Sequence, residues 1–282
     1  MLSQHLTNLL NKSKEIVLDS RSAEPLGDIS ATLERNHVRV GPLPPLTAED
    51  KFYALDGGYR LTHLHSHSLG SATAVLLQKV PRFQNWMQAL PHHFANEGFM
   101  QALMMSMELT LAETEPRAMF DGDPRVHHEQ VALWNKTGIH EFSLGEVPQA
   151  PGIIKLGTSK FIADQCPNLS SLYDDKSLLG SIIPVNGYAS YPERDGWTRT
   201  FLRLPMHYFE FVTPPSVDHM SVASWIRRNT FTHQMQEPLP MYLADYMIKR
   251  SLAATHKALQ AAILNPEDIV MTSPHRSIIH AD

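Results

Sequence analysis

Apolar residues at Leu2, Leu6, Leu9, Leu10, Ile16 and Val17 recur at roughly helical spacing among polar ones, which predicts an amphipathic N-terminal helix. Positions 22–50 lose that period and are rich in Pro and Ser. Gly41-Pro42-Leu43-Pro44-Pro45 in particular is unsuited to the inside of a regular element, so an extended arm is expected there. Phe52-Tyr53-Ala54-Leu55 is a short apolar run that predicts a buried strand, closed by a turn at Asp56-Gly57-Gly58 that leaves Asp56 at the strand's carboxyl end. Arg60 to His67 alternates around Leu61 and Leu64, and Ala72 to Val80 is apolar after the Leu69-Gly70-Ser71 break. Together they predict an antiparallel pair.

From Glu97 to Glu113 the period returns to that of a helix, carried by Phe99, Met100, Leu103, Met104, Met107 and Leu111, with Glu108 inside it. Arg117-Ala118-Met119-Phe120 repeats the earlier pattern, a short apolar run that ends in an acid, here Asp121-Gly122. Residues 153–158 and 200–212 predict further strands, with a helix over Ser177 to Ile183 between them. A long amphipathic helix over Leu239 to Leu264 carries Met241, Leu243, Tyr246, Met247, Leu252, Leu259 and Ile263, and stops at Pro266.

Composition narrows the class. With 282 residues, 43% hydrophobic and 19% charged, the chain can bury one substantial core. No linker or repeat divides it, so a single domain over 51–282 is expected behind an N-terminal helix and arm over 1–50. A net charge of −5 means that any surface for nucleic acid must be local. The single cysteine, Cys166, rules out an internal disulfide framework and a cysteine-based zinc site, and suits a reducing cytoplasm. The N-terminus lacks a signal peptide's continuous apolar core, and no apolar run approaches the roughly 18 residues of a membrane span, so a soluble protein is expected. The absence of GxxxxGK[ST], HExxH, GxSxG and CxxC segments removes the P-loop, zinc-protease, serine-hydrolase and thiol-redox readings.

The order strand-acid, antiparallel strands, helix with a glutamate, strand-acid, late helix is the catalytic order of RNase H-like folds, a likeness at the level of fold. Neighbouring strand ends bring Asp56 and Asp121 together, and a helix packed on the sheet can aim Glu108 at the same point. Three carboxylates in one pocket repel unless cations lie between them. Phosphodiester hydrolysis needs such cations: two divalent ions about 4 Å apart serve the attacking water and the leaving oxygen, and Mg²⁺ and Mn²⁺ prefer oxygen ligands.

Leu55-Asp56-Gly57-Gly58, Met107-Glu108-Leu109-Thr110-Leu111 and Met119-Phe120-Asp121-Gly122 together resemble the NurA nuclease family. So do Gly157-Thr158-Ser159-Lys160, Asp174-Asp175-Lys176-Ser177-Leu178-Leu179, Phe201-Leu202-Arg203-Leu204 and Tyr208-Phe209-Glu210, which extends the likeness over about residues 50–265. The resemblance implies an α/β, RNase H-like mixed sheet flanked by helices and a two-metal deoxyribonuclease dependent on Mn²⁺ or Mg²⁺. It also implies a homodimer and a HerA-type hexameric ATPase as partner, in DNA repair or in defence against foreign DNA. Carried over, Asp56, Glu108 and Asp121 are metal ligands, Asp175 shapes the pocket, and Lys160 binds the phosphate or the attacked strand. The family's last catalytic histidine opens the C-terminal helix, where this chain reads Pro240-Met241-Tyr242-Leu243-Ala244-Asp245. Asp245 fills that position as an oxygen ligand, or His256 or His275 takes the role. The substituted histidine also motivates a second reading, an adaptor that has lost catalysis and binds and regulates the ATPase; a third is a related nuclease acting on RNA.

Other clusters have a functional and a plain reading. His63, His65 and His67 would share one face of a strand and bind a transition metal, or mark a polar edge. His127-His128-Glu129, just past Asp121, adds a ligand or a proton-transfer group, or is an exposed loop. Trp225-Ile226-Arg227-Arg228 and Lys249-Arg250 suit a DNA backbone or a solvated helix face. Met100, Met104, Met105 and Met107 are most simply core.

Overall fold

The computed structural model describes residues 26–46, 51–155, 159–166, 174–231 and 237–263. The N-terminal helix expected over the first eighteen residues, Pro266 and His275 lie outside them. The elements in chain order are α1 (Leu26–Arg35), β1 (Arg39–Pro42), β2 (Tyr53–His63), β3 (Ser68–Leu77), β4 (Arg82–Leu90), α2 (Glu97–Glu113), β5 (Ala118–Asp121) and α3 (Pro124–Asn135). They continue with β6 (Gly152–Ile154), α4 (Asp175–Ile182), β7 (Gly187–Pro192), β8 (Thr198–Arg203), β9 (Tyr208–Thr213), α5 (His219–Asn229) and α6 (Leu239–Ile263).

The nine strands form one mixed sheet in the order β1-β7-β8-β9-β6-β5-β2-β3-β4. Only the central trio β2, β5 and β6 is parallel; both flanks are antiparallel. This is the α/β mixed sheet with helical layers that the alternation of strand and helix patterns predicts. Successive side chains of a strand point to opposite faces, and β2 shows it. Leu55, Tyr59 and Leu61 pack with Met100, Leu103 and Met104 of α2, whereas Ala54 packs with Ile248 and Leu252 of α6. The methionines of α2 are core, as their spacing suggests.

Several expectations change. Asp56-Gly57-Gly58 is no turn: β2 runs unbroken from Tyr53 to His63, and its hairpin to β3 closes only where Leu64 N donates to His67 O at 2.8 Å. The two glycines serve close packing instead. A Cβ on Gly57 would lie 2.8 Å from Met104 and 2.9 Å from the Glu108 carboxyl carbon, and one on Gly58 would lie 2.7 Å from Ile248, so each admits a helix onto one face of the strand. The segment expected as an irregular arm contributes helix α1 and edge strand β1, whose last residue is Pro42. Proline is tolerated there because an edge strand leaves half of its ladder unpaired. Residues 200–212 form the hairpin β8–β9, turned where Leu204 N bonds His207 O at 2.8 Å, and the strand expected over 153–158 ends at Ile154.

Strands β4 and β7 and helix α5 are new. The sequence of β4, RFQNWMQAL, breaks its apolar residues with Arg82, Gln84, Asn85 and Gln88, and most of its positions stay exposed or half-buried at the sheet's other edge. On α5, Trp225 is buried in the core with its ring edge-on to Phe52, centroids 6.2 Å apart, and is not a surface for stacking bases. Among the described residues no helix is long and apolar enough to cross a membrane.

The parallel step from β5 to β6 is the tightest point in the sheet. Gly122, at φ +110°, donates to Ile153 O at 2.7 Å, and a Cβ on Gly152 would come within 1.9 Å of Gly122 O. Backbone cannot retreat as a side chain can. Gly152→Ala is therefore expected to cost about 3 kcal/mol or more, read from the urea midpoint of unfolding; a variant within about 1 kcal/mol of the parent contradicts this packing.

Candidate active site

The parallel register pairs Leu55 with Phe120, so the next residues along the two strands are Asp56 and Asp121. Strand periodicity sends both to the face that Ala54 and Met119 share with α6. Both are buried, and Asp56 Oδ1 accepts from Gly57 N at 2.8 Å. Burial first, and the Asp121 charge next, push the Asp56 carboxyl well above the usual range; Lys155 opposes the rise while Glu108 and Asp245 add to it. These four carboxylates therefore share one field, which the sequence order anticipates.

Glu108 arrives over Gly57 from α2 and is only 1% exposed, unlike most helical glutamates. His127 of α3 stands beside it, Nδ1 3.2 Å from Glu108 Oε2. Burial opposes protonation of that ring, but Glu108, and then Asp121 and Asp123, raise its pKa above the ordinary histidine value. Of the three residues 127–129, His127 thus joins the acids and sits on a helix, not in a loop. Asp245 of α6 is buried, and Lys249 one turn later donates to its Oδ2 at 2.8 Å.

The sequence reading missed Lys155 and Glu237. Lys155 follows β6 directly, and its Nζ lies 2.6 Å from Asp121 Oδ2 and 2.5 Å from Glu237 Oε2. Burial disfavours its charge, yet Asp121, Glu237 and Asp56 together raise its pKa above that of a free lysine. The one available signal was a lysine at the end of an apolar run, and the reading placed that role five residues later. Five carboxylates, Asp56, Glu108, Asp121, Asp245 and Glu237, thus meet two ammonium groups, Lys155 and Lys249, and the His127 imidazole. Among the described residues no three His, Cys, Asp or Glu side chains already stand close enough together to enclose a metal ion. Lys155 holds Asp121 and Glu237 in their present positions. The donor set itself suits a hard divalent cation: buried, all oxygen, and short of positive charge.

Asp245, Glu237, Lys155 and Lys249 also line a cleft of about 380 Å³ that extends past Lys176 and Tyr208. The Tyr208 hydroxyl is buried there with no hydrogen-bond partner among the described residues. Burial, reinforced by Glu210, raises its pKa, so it is a neutral donor.

Of the other expected site residues, Asp175 lies next to the cleft, where its charge is felt by Tyr208, and His256 lies farther along α6. Asp175, fully buried, accepts from Ile162 N and Ala163 N at 2.8 Å, from Ser159 Oγ at 2.8 Å and from Tyr191 OH at 3.0 Å. Both its oxygens are committed, and it locks the loop onto α4. Lys160 is exposed in that loop and is not among the residues that line the cleft. His256 is about 16 Å along α6 from Asp245 at 1.5 Å per residue. It is fully buried, with Nε2 2.8 Å from Thr62 Oγ1 and Nδ1 3.1 Å from Ser71 Oγ. It fastens α6 to the β2–β3 hairpin. The histidine trio does not share a strand face: His63 ends β2 and lies 2.8 Å from Ser68 Oγ, while His65 and His67 are in the turn.

The sequence matches no family model and no curated protein. The fold does match known structures. The NurA nuclease from Sulfolobus solfataricus superposes with a TM-score of 0.59 at 13% identity, over 94% of this chain and 98% of that one. A NurA structure with manganese gives 0.58 at 10% identity, over 95% and 100% of the two chains. One bound to dAMP and manganese gives 0.57 at 12% identity, over 95% and 98%. The likeness is one of fold, and it spans nearly the whole of each chain.

His256 yields a pH test. Burial, aided by Arg60, lowers its pKa from 6.5 to about 4. The unfolded chain therefore takes up a proton first on acidification, and the stability contributed by the neutral ring is lost as pH falls from about 6.5 toward 4. The loss should reach roughly 3 kcal/mol near pH 4. Urea unfolding at pH 7 and pH 5 should show a steeper decline for the parent than for His256→Gln; equal declines contradict the assignment.

Proposed function

We propose that this chain is a metal-dependent DNA nuclease, with Asp56, Glu108, Asp121 and Asp245 as ligands for Mn²⁺ or Mg²⁺. The observation that carries the reading is the convergence of four carboxylates from β2, α2, β5 and α6 in one buried field that raises the Asp56 pKa. The whole-chain fold likeness to NurA, including a structure that holds dAMP and manganese, supports it. When bound, divalent cations would offset the excess negative charge, activate the attacking water and stabilise the leaving oxygen.

The chain's own groups supply the rest. Lys155, protonated and anchored between Asp121 and Glu237, is placed to move onto a non-bridging phosphate oxygen as substrate and cations arrive. Lys176 and Lys249 flank the cleft and attract the phosphate backbone, and the unpartnered Tyr208 hydroxyl can donate to it. The net charge of −5 is compatible with this because the lysines are local. Asp175, Lys160 and His256 have no direct part in the chemistry under this reading. Partnership with a HerA-type hexameric ATPase, a homodimeric state and a cytoplasmic setting belong to the same proposal through the family resemblance.

One observation favours a second reading. The Lys155 ammonium already satisfies Asp121 and Glu237, as in a site that has exchanged a cation for a lysine, which suits an adaptor of the ATPase.

Purified protein with Mn²⁺ on linear DNA separates the two. Cleavage that EDTA abolishes is expected, as are losses of at least about 100-fold in Asp56→Asn and Asp121→Asn with the fold retained by circular dichroism. Full activity in both variants contradicts the ligand assignment, and a parent without cleavage, alone and with a HerA-type partner, favours the adaptor. Lys176→Ala should raise KM about 5-fold or more with kcat within about 2-fold, since it removes binding made equally in ground and transition states; an unchanged KM removes the cleft from the substrate path.

A further inference from the structure

The Asp123-Pro124-Arg125 corner behind Asp121 is built to fix one side chain. Asp123 caps α3 by accepting from Arg125 N at 3.0 Å, and Pro124 opens the helix with its φ already set. The Arg125 guanidinium returns to Asp123 and reaches Glu193, both at 2.6 Å, and lies 4.6 Å over the Trp197 ring. Arg199 pairs in turn with Glu193 and with the buried Glu210. The first turn of α3 is thereby tied to the β7–β8 hairpin and to β9. His127 is the residue this turn delivers.

Its ring has little freedom. It is 5% exposed, packs edge-on against Phe120 with centroids 5.7 Å apart, and rests on Gly122, where an added Cβ would meet Nε2 at 2.8 Å. Gly122 sits at φ +110°, a conformation that favours glycine, so the chain reverses immediately after Asp121 and leaves room for the ring. Nδ1 then stands 3.2 Å from Glu108 Oε2, a close ion-pair contact between two buried groups. Packing has fixed the ring, so the ring fixes the carboxylate.

We infer that His127 is a positioning residue: it holds the Glu108 carboxylate at the acid cluster, so that Glu108 presents its oxygens to a divalent cation. The inference rests on the nuclease reading above. It assigns His127 no contact with substrate and explains why a glutamate in mid-helix is buried beside two aspartates. A partner that orients a metal ligand characteristically changes metal affinity roughly 10–100-fold when lost. An imidazole supplies both the directional contact and the shape; phenylalanine keeps the shape, and glutamine keeps a donor.

The test is Mn²⁺ binding to the metal-free full chain by isothermal titration calorimetry, with unfolding midpoints recorded alongside. His127→Phe should weaken Mn²⁺ roughly 10-fold or more while His127→Gln restores most of the affinity, and in a Glu108→Gln background the Phe substitution should add little further loss. Parent-like Mn²⁺ affinity in a folded His127→Phe variant overturns the positioning role and leaves the nuclease reading standing. So does a His127→Phe loss that persists undiminished without Glu108. If His127→Phe does not fold, His127→Gln paired with His127→Ala reads the same coupling. A parent that binds no Mn²⁺ overturns the metal reading, and this role with it.

Discussion

Mutual repulsion among carboxylates at the end of the β2–β5 pair is the constraint around which this molecule is arranged. Asp56 and Asp121 are brought side by side by backbone register, which leaves them no freedom to separate. Glu108 and Asp245 are added from helices on opposite faces of the sheet. Buried like charges of this kind cost free energy unless cations or protons offset them. The raised Asp56 pKa is one response, and the recruitment of Lys155, Lys249 and His127 is another. A site of this kind has a standing affinity for positive charge.

The remainder of the fold keeps that arrangement from relaxing. Gly57 and Gly58 let α2 and α6 press onto β2 from either side, and Gly152 lets β6 close on the Asp121-Gly122 turn. Farther out, Asp175 consumes all its acceptor capacity in fastening α4, and the Arg125, Glu193, Arg199 and Glu210 chain braces α3 against the outer strands. Apart from one Glu210 oxygen, which has no hydrogen-bond partner among the described residues, these buried polar groups are paired within the scaffold, whereas the acids at the centre are crowded.

Much of the centre was legible in the sequence, because strong hydrophobic periods surround it. Helix α2 matches its predicted bounds, β5 ends on Asp121 as its pattern requires, and α6 carries Asp245 as expected. Asp56, Glu108, Asp121 and Asp245 come together as their order along the chain suggested. What failed did so for identifiable reasons. Asp-Gly-Gly has the local chemistry of a turn, but tertiary packing on both faces needed glycine inside a strand. Edge strands β1 and β4, and β7 beside β1, have one-sided or weak apolar patterns and left little trace. Lys155 and Glu237 are recruited by charge across the fold, a relation no local window contains. The hydrogen bonds that tie His256 and Asp175 into the scaffold are likewise set by tertiary contacts that residue type does not reveal.

Divalent cations that enter the proposed site would have to displace the Lys155 ammonium from Asp121. A crystal structure of the protein soaked in Mn²⁺, with anomalous scattering recorded, tests this most directly. Anomalous peaks coordinated by oxygens of Asp56, Asp121, Glu108 and Asp245 are expected, with the Lys155 ammonium moved off Asp121. Lys155 still seated between Asp121 and Glu237, with no manganese signal at the cluster, would contradict it.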